Sequence, residues 1–306
     1  MDSLKEFITR FHSNYTDNCV TLFFSRRSST DKYITHQPVV SADVQKTIID
    51  TILPQLIKQL ESHNLVHYNP VGVLDGEIEK IETSKIPMYS AFLSSLEDEN
   101  VFRDMSTLKV ERIGFYCVVI KQDDSVLHLF RQFQKLKKLR KGLLTQIVNN
   151  ELNVIEHEFL GIDEYVDIIS YNGFLYLPNH ISLERIFSYK DEFLRKTTEA
   201  LGEILTQNVI SNIEQFQQDC CNDIRIMKRF TNIMTKDRLP LFFDNYERVP
   251  EIVSELGLDI DFDEEGRIIY REKSQLFHIV NLLSDSYFKS LLSNRPGIAI
   301  VEEEIK

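Results

Sequence analysis

The sequence predicts an α+β protein with a mainly antiparallel central sheet, long helices and a small C-terminal unit of hairpin, helix and strand. Two hairpin signatures predict the sheet. Apolar runs flank the polar turn QDDS at residues 122–125, and the dipeptide Asn172-Gly173, which favours a type I′ turn, separates two more strand-like runs. After residue 182 the apolar spacing lengthens from two residues to nearly four, which indicates helices.

Residues 1–110 are predicted to form an N-terminal α+β domain. Its expected elements are an amphipathic helix at 2–13, a hairpin of strands at 19–24 and 33–40, and helices at 42–61 and 88–96. Ser41 is placed to cap the second of these helices at its N-terminus. This third of the chain contains no recognisable catalytic motif.

Residues 111–238 are predicted to form a domain of central sheet and long helices, and residues 239–306 a C-terminal α+β unit. After the first hairpin, the central domain has expected strands at 154–159 and 166–171 and helical patterns at 183–205 and 209–234. The last unit has an expected helix at 250–256, a hairpin of 258–262 with 267–271, a helix at 274–293 and a strand at 297–301. Leu239-Pro240 marks the boundary between the two.

A local reversal of charge is the main functional signal. The chain carries 35 Lys and Arg against 47 Asp and Glu, a net charge of −12, yet residues 131–141 contain six cations and no acidic residue. The spacing of Leu136, Leu139, Leu143 and Ile147 predicts a helix that buries this stripe and exposes the cations on its flanks. The alternative is an ordinary solvated face whose lysine stems cover apolar neighbours.

A second basic group lies near the end of the long helical segment. It contains Arg225, Lys228, Arg229, Lys236 and Arg238. Cations near a helix C-terminus also complement the macrodipole, which is the alternative explanation. Taken with the first group, the candidate DNA-binding residues are Arg131, Lys135, Lys137, Lys138, Arg140, Lys141, Arg225, Lys228 and Arg229.

Motifs for catalysis are absent from the sequence. There is no Walker sequence, GxGxxG or GxSxG, and the Glu-x-Lys element of many nucleases occurs only at residues 304–306. We therefore expect no catalytic residues and no enzymatic activity. A metal-dependent nuclease is kept as a lesser alternative.

Metal and cofactor sites are not predicted. Asp259, Asp261 and Asp263 imitate the start of a calcium loop, but Glu264 stands where that loop needs glycine and Tyr270 where it needs glutamate. His63 and His67 are four residues apart without a third ligand. No secretory signal precedes the first helix, and the apolar runs are too short to span a bilayer, so we expect a cytoplasmic protein.

Five stretches resemble a known bacterial family, which is typified by KwaB of the Kiwa anti-phage defence system. They are LHLFRQFQKLKKLRKGLL (127–144), IDEYVDIISYNGFLYLPN (162–179), SLERIFSYKDEF (182–193), RIMKRFTNI (225–233) and RIIYREKSQLFHIVNLLSDSYFKSLLSN (267–294). The resemblance covers roughly residues 111–300. Its motifs are patterns of apolar positions and turns, and it supplies no catalytic residues.

The resemblance implies a DNA-binding effector without catalysis of its own. Such a protein would bind phage or other double-stranded DNA, associate with itself as a homodimer or higher oligomer, and be recruited to the inner face of the cell membrane by a KwaA-like membrane protein. The implied outcome is a block of phage replication and late expression. The alternative is a protein-interaction scaffold or sensor at a membrane complex, without direct DNA binding.

Overall fold

The computed structural model describes residues 2–15, 19–28, 32–133, 145–148, 151–154 and 160–299. Its α-helices are α1 (Asp2–Asn14), α2 (Ala42–Ser62), α3 (Pro87–Ser94), α4 (Ser182–Phe187), α5 (Lys190–Gln207), α6 (Ile213–Asn222), α7 (Ile224–Thr235), α8 (Arg238–Asp244), α9 (Val249–Leu256) and α10 (Leu276–Leu283). Its strands are β1 (Val20–Arg27), β2 (Tyr33–His36), β3 (Asn64–His67), β4 (Glu77–Glu82), β5 (Phe115–Gln122), β6 (Ser125–Gln132), β7 (Thr145–Val148), β8 (Glu151–Val154), β9 (Ile168–Tyr171), β10 (Phe174–Leu177), β11 (Ile210–Ser211), β12 (Asp261–Phe262), β13 (Ile268–Ile269), β14 (Tyr287–Lys289) and β15 (Pro296–Ile298). These elements confirm the α+β class.

The chain divides into two compact units. The first contains Met1–His67 and Asp75–Ser188, and the second contains Tyr68–Leu74 and Tyr189–Lys306. The predicted boundaries at residues 110 and 238 do not coincide with this division. Strands from both sides of residue 110 share one sheet, and α5 to α7 belong with the C-terminal residues instead of with that sheet.

The first unit is built on an eight-stranded sheet with the order β2-β1-β5-β6-β9-β10-β4-β3. All neighbouring strands are antiparallel except β3 and β4, which are parallel. The predicted hairpins of β1 with β2, β5 with β6 and β9 with β10 are confirmed. The structure therefore confirms the mainly antiparallel central sheet.

Both faces of this sheet are covered, which explains why β5 is apolar at successive positions instead of alternating. Tyr116, Val118 and Ile120 belong to the core that α1 and α2 also enter. Phe115 points the other way and contacts Phe92 of α3, with ring centroids 5.5 Å apart. On that side further rings from β2, β6 and α4 join an aromatic cluster, and they are Tyr33, Phe130 and Phe187.

The turn between β9 and β10 has the geometry that its sequence predicts. Asn172 has a φ of 47° and Gly173 a φ of 78°, so both central residues are left-handed, as a type I′ turn requires. The Gly173 carbonyl accepts hydrogen bonds from the Thr83 backbone N–H at 2.9 Å and from the Thr83 hydroxyl at 3.1 Å. The turn thus links the hairpin to the segment that follows β4.

Replacing Gly173 by alanine is expected to lower the free energy of unfolding by about 1–2 kcal/mol, because an alanine Cβ is strained at positive φ. The matched control is Gly72→Ala. Gly72 has ordinary φ and open space around the added Cβ, so we expect a change within about 0.5 kcal/mol. Urea denaturation followed by circular dichroism measures both. Equal effects of the two substitutions would contradict the turn assignment.

His128 of β6 predicts a pH dependence of stability. Its ring stacks on Phe130 at 6.2 Å, and burial, with a smaller contribution from the Lys121 charge, lowers its pKa to about 4. The unfolded chain, whose histidines have a pKa near 6.5, therefore takes up the proton first as the pH falls. We expect about 2–3 kcal/mol of unfolding free energy to be lost between about pH 6.5 and pH 4 through this group.

The comparison of wild type with His128→Phe isolates that contribution, because the other titrating groups are common to both proteins. Denaturation is followed across the acid range for each. We expect the wild type to lose stability more steeply than the variant below about pH 6.5. Parallel pH profiles would contradict a His128 that stays neutral in the folded protein.

The second unit has its own core, to which α5 to α10 all contribute. Phe216 of α6 and Tyr270 pack edge to face at 5.2 Å, and the Tyr270 hydroxyl donates to Asp219 at 2.8 Å. Short strands form two small sheets, β11-β13-β12 and β14-β15. The predicted hairpin around DEEG is confirmed by the antiparallel pairing of β12 with β13.

The helix expected at 274–293 was wrong in its second half. The helix stops at Leu283, and the chain then turns through Asp285, whose φ is 52°, into strand β14. Of the strand expected at 154–159, only Val154 is described, and it is the last residue of β8, which pairs with β7. Residues 155–159 lie outside the described residues.

Candidate functional site

The central basic run, residues 131–141, begins in the last two residues of β6, which ends at Gln132. Five of its predicted contact residues lie outside the described residues, and they are Lys135, Lys137, Lys138, Arg140 and Lys141. The same holds for Leu136, Leu139 and Leu143 of the expected helical stripe. The prediction was wrong for Ile147, which lies in strand β7 opposite Leu152 of β8.

Arg131, the first cation of the run, is held by two carboxylates. Its Nε and Nη2 donate to Asp163 at 3.0 and 2.7 Å, and its Nη1 donates to Asp167 at 2.9 Å. The guanidinium also lies 5.4 Å from the Tyr165 ring, and only 13% of the side chain is exposed. With every guanidinium nitrogen engaged, Arg131 has a structural role, and we leave it out of the proposed contact surface.

Asp167 is the centre of this network. Its side chain is 2% exposed, and it also accepts hydrogen bonds from the Gln132 backbone N–H at 2.7 Å and from Asn179 Nδ2 at 3.0 Å. Tyr116 adds a hydrogen bond to Asp163 at 3.3 Å, and burial raises the pKa of Tyr116, so its phenol stays protonated and donates. Together these bonds fix the end of β6, from which the basic run starts.

The second basic group lies partly on α7. The helix forms because Ile226, Met227, Phe230 and Ile233 give it one buried stripe, while Asp223 caps its N-terminus by accepting from the Arg225 N–H at 2.9 Å. Arg225 is exposed and forms an ion pair with Asp223 at 2.7 Å. Because Arg225 lies in the first turn, the macrodipole explanation does not apply to it.

Arg229 occupies a more enclosed position one turn later. Its Nη1 donates to the Asn281 side-chain oxygen at 2.6 Å, and its guanidinium lies 5.5 Å from the Phe277 ring. Burial lowers the pKa of Arg229. Lys228 points elsewhere on the helix, with its ammonium 5.7 Å from the Phe193 ring. The two neighbouring cations of α7 therefore have different surroundings.

Arg229 lines a small polar pocket of the second unit, which we call the α7 pocket. Its lining residues are Val71, Arg229, Asn232, Ile233, Lys236, Arg238, Ser284, Ser286 and Ala299. The hydroxyls of Ser284 and Ser286 are 2.6 Å apart. Arg238 lies 3.9 Å from the carboxylate of Asp285, which is 66% exposed.

Sequence reasoning grouped the three cations of this pocket but missed its serines. Ser284 and Ser286 lie some fifty residues further along the chain, in a stretch that was expected to be helical. Their relevance follows from the turn after α10, which places both hydroxyls beside α7. The basic groups were found by counting charged residues, so neutral hydroxyl donors such as these serines could not be recognised.

The carboxylate-rich hairpin has a structural explanation. Asp263 accepts hydrogen bonds from the backbone N–H groups of Glu265 at 3.0 Å and Arg267 at 2.8 Å, and so organises the turn between β12 and β13.

Within the described residues, no group of three or more His, Cys, Asp or Glu side chains is placed to hold a metal ion. None of the described helices is both long and apolar enough to cross a membrane.

Comparison with known proteins identifies the family. The family model described as "Kiwa protein KwaB-like" matches residues 110–293, which is more than half of the chain. No curated protein and no solved structure matches significantly. The matched range agrees with the resemblance noted at residues 111–300 and includes both basic groups. The chain belongs to the KwaB-like family and is thereby associated with Kiwa anti-phage defence.

Proposed function

We propose that this KwaB-like protein is a DNA-binding effector of Kiwa defence that has no catalysis of its own. One observation carries the proposal: residues 135–141 hold five cations and no acidic residue, in a chain whose net charge is −12. An acidic protein repels polyanions at long range, so any DNA contact must be local. The five cations are Lys135, Lys137, Lys138, Arg140 and Lys141.

The contact is expected to depend on phosphates and not on base sequence. Lysine supplies four of the five cations, and it binds phosphate as a point charge without the bidentate geometry that reads guanine. Phosphate contacts position a protein on the duplex but carry no sequence information. We therefore propose binding to phage or other double-stranded DNA with little discrimination between sequences.

A filter-binding titration with two unrelated duplexes of equal length tests this function. We expect both to bind with similar affinity, and to remain intact when magnesium is added. If neither duplex is retained on the filter at low salt, DNA binding is contradicted. Cleavage that depends on magnesium and is lost on changing one acidic residue would instead favour the nuclease alternative.

A scaffold or sensor function without DNA binding is the second candidate. The β14–β15 hairpin favours it, because Phe288 is 52% exposed, and Leu291 and Leu292, in the turn between the strands, are fully exposed. Exposed apolar groups of this kind are typical of protein contacts. Co-purification with a KwaA-like membrane protein or a second copy of the chain, with no DNA retention, would support this candidate over the first.

A further inference from the structure

We propose that a groove in the N-terminal third of the chain binds one unpaired nucleotide of single-stranded DNA. The groove lies at the β2 edge of the eight-stranded sheet, and we name it the Phe102 groove after the ring at its rim. The side chains that carry the argument are Arg26, His36, Phe102 and Arg112. Its volume is about 230 Å³, just below the ~300–1,000 Å³ of pockets that enclose whole drug-sized ligands, which suits a single base.

The pairing of the two edge strands places the floor of the groove on one face of the sheet. In the antiparallel pair of β1 and β2, Phe24 lies opposite His36 and Arg26 lies opposite Ile34. Residues that are opposite each other, or two apart on one strand, point to the same face, so these four side chains share a face. Side chains from residues 102–113 complete the lining.

Phe102 is an exposed aromatic residue that the backbone holds in place. Its N–H donates to the Thr35 carbonyl and its carbonyl accepts the Gln37 N–H, both at 2.9 Å. These two bonds form a parallel bridge to His36, whose ring stacks on the Phe102 ring with the centroids 5.3 Å apart. His36 is 5% exposed and Phe102 is 49% exposed, so the Phe102 ring is supported from the protein side and open to a second ring. Such a ring is a stacking platform for a base.

His36 supports that platform without adding a charge. Burial lowers the pKa of His36, the Arg26 charge lowers it further, and the Asp104 charge opposes them with a smaller effect. The imidazole is therefore neutral at neutral pH. Its Nε2 lies 3.1 Å from Thr107 Oγ1, a hydrogen bond that fixes the plane of the ring. The position of the Phe102 platform is thus set before a ligand binds.

Two arginines place positive charge beside the platform. Arg26 comes from β1 and Arg112 from the segment before β5, and both line the groove. Arg112 is exposed and Arg26 partly exposed, so a ligand can reach both from solvent. No acidic residue is among the described residues that line the groove. An aromatic ring flanked by cations is the arrangement with which proteins hold single strands, because the ring stacks on a base and the cations contact phosphates.

The position of the groove favours a nucleic acid over other anions, and in this respect the inference rests on the proposed function. The Gly114 N–H donates to the Ser25 carbonyl at 3.0 Å, and the Gly114 carbonyl accepts the Phe133 N–H at 2.9 Å. Ser25 lines the groove, and Phe133 precedes Lys135 by two residues. The chain therefore continues toward residues 135–141 from a point two strand spacings, about 10 Å, from the groove.

The open face of Phe102 selects unpaired bases. Inside a duplex each base is stacked between its neighbours, so a base must leave the stack before it can offer a face to a protein ring. An unpaired base needs no such step. Every base has a flat face that can stack on an aromatic ring, so we expect little preference among sequences.

Fluorescence anisotropy with the full chain and a labelled strand of about ten thymidines tests the inference. We expect this strand to bind at least about fivefold more tightly than an abasic strand of the same length, which has the phosphates but no bases. Equal affinities would overturn the proposal. Tighter binding of a uridine ribonucleotide strand, or equally tight binding of thymidine monophosphate, would overturn the assignment to single-stranded DNA.

Phe102→Leu removes the ring, keeps an apolar side chain and leaves the two backbone bonds to β2 available. We expect this variant to bind the thymidine strand at least about fivefold more weakly and the abasic strand as before. Phe288→Leu is the matched control, because Phe288 is 52% exposed against 49% for Phe102 and lies in the second unit. Circular dichroism checks that both variants are folded. Equal losses in variant and control would overturn the proposal.

Arg112→Gln provides a second measurement at an exposed position. Each phosphate contact of a single strand releases about 0.7 counterion, which contributes about fivefold in affinity at about 0.1 M salt. We therefore expect Arg112→Gln to weaken the thymidine strand and the abasic strand by similar factors. Unchanged affinity for both strands would overturn the proposed phosphate contact and the inference with it.

The proposed function and this inference fail separately. Phe102→Leu is expected to leave duplex binding unchanged, and the chain with Lys137, Lys138 and Arg140 changed to Glu is expected to keep its preference for the thymidine strand over the abasic strand. A wild type that binds the duplex without that preference contradicts this inference alone. A wild type that shows the preference and binds no duplex contradicts the proposed double-strand contact alone.

Discussion

Replacing Asp167 by alanine is expected to lower the free energy of unfolding by about 3–5 kcal/mol, the cost of breaking a buried ion pair from one side. Arg131 would lose the partner of its Nη1, at 2.9 Å, while its guanidinium stays largely out of water. The Gln132 backbone N–H and the Asn179 amide would lose their acceptor as well. Three donors are thus left unpaired by one substitution.

Asp163→Ala is the matched control for this prediction. Asp163 binds the same guanidinium at 2.7 Å, but its side chain is 44% exposed, so water replaces the lost contacts. We expect a loss of about 1–2 kcal/mol. Urea denaturation of both variants gives the comparison. Equal losses, or a loss for Asp167→Ala below that of the control, would contradict the central place of Asp167 in the network.

Changing Lys137, Lys138 and Arg140 together to glutamate is expected to weaken duplex binding by about 10²–10³-fold at about 0.1 M salt. Each phosphate contact releases about 0.9 counterion, which at this salt contributes close to tenfold in affinity. Three lost contacts multiply to several hundredfold, and the introduced negative charges add repulsion. Filter binding at a fixed salt concentration measures the change.

The control for this variant changes the same amount of charge elsewhere. Lys46, Lys58 and Lys109 are exposed, and changing all three to glutamate also takes the net charge from −12 to −18. Exposed charges that do not contact the duplex are screened by salt over a Debye length of about 10 Å, so we expect less than about threefold loss of affinity. Equal losses from both triple variants would mean that net charge matters and that residues 135–141 are not the contact.

The local signals in the sequence predicted the sheet well. The Asn172-Gly173 turn could be read directly, because left-handed backbone at both positions is favourable for only a few residue types. The apolar run of β5 was also recognisable, although its lack of alternation reflects burial on both faces of the sheet, which only the packing of α1, α2 and α3 shows.

Long-range pairing could not be predicted from the sequence, and the two compact units therefore differ from the predicted domains. Strand β4, in the first hundred residues, pairs with β10 more than ninety residues later. The end of α10 was missed because Leu283, Tyr287 and Leu291 continue a helix-like apolar spacing of four residues. The left-handed turn at Asp285 ends the helix despite that pattern.

From the sequence, the candidate binding sites could be located only as two clusters of Lys and Arg residues. Counting cations located both basic groups, but it could not show that Arg131 is held by Asp163 and Asp167, more than thirty residues away. Nor could it distinguish exposed Arg225 from enclosed Arg229 on the same helix. Whether a cationic side chain can bind a ligand depends on which other side chains the fold places in contact with it.

The salt dependence of duplex binding tests the central claim most directly. The equilibrium constant of the wild-type chain for a duplex of arbitrary sequence is measured between about 50 and 200 mM salt, the range over which phosphate contacts weaken measurably. Five contacts from Lys135, Lys137, Lys138, Arg140 and Lys141 predict a slope of about −4 to −5 on logarithmic axes. A slope near zero, or no binding at the lowest salt, would contradict DNA binding through this run.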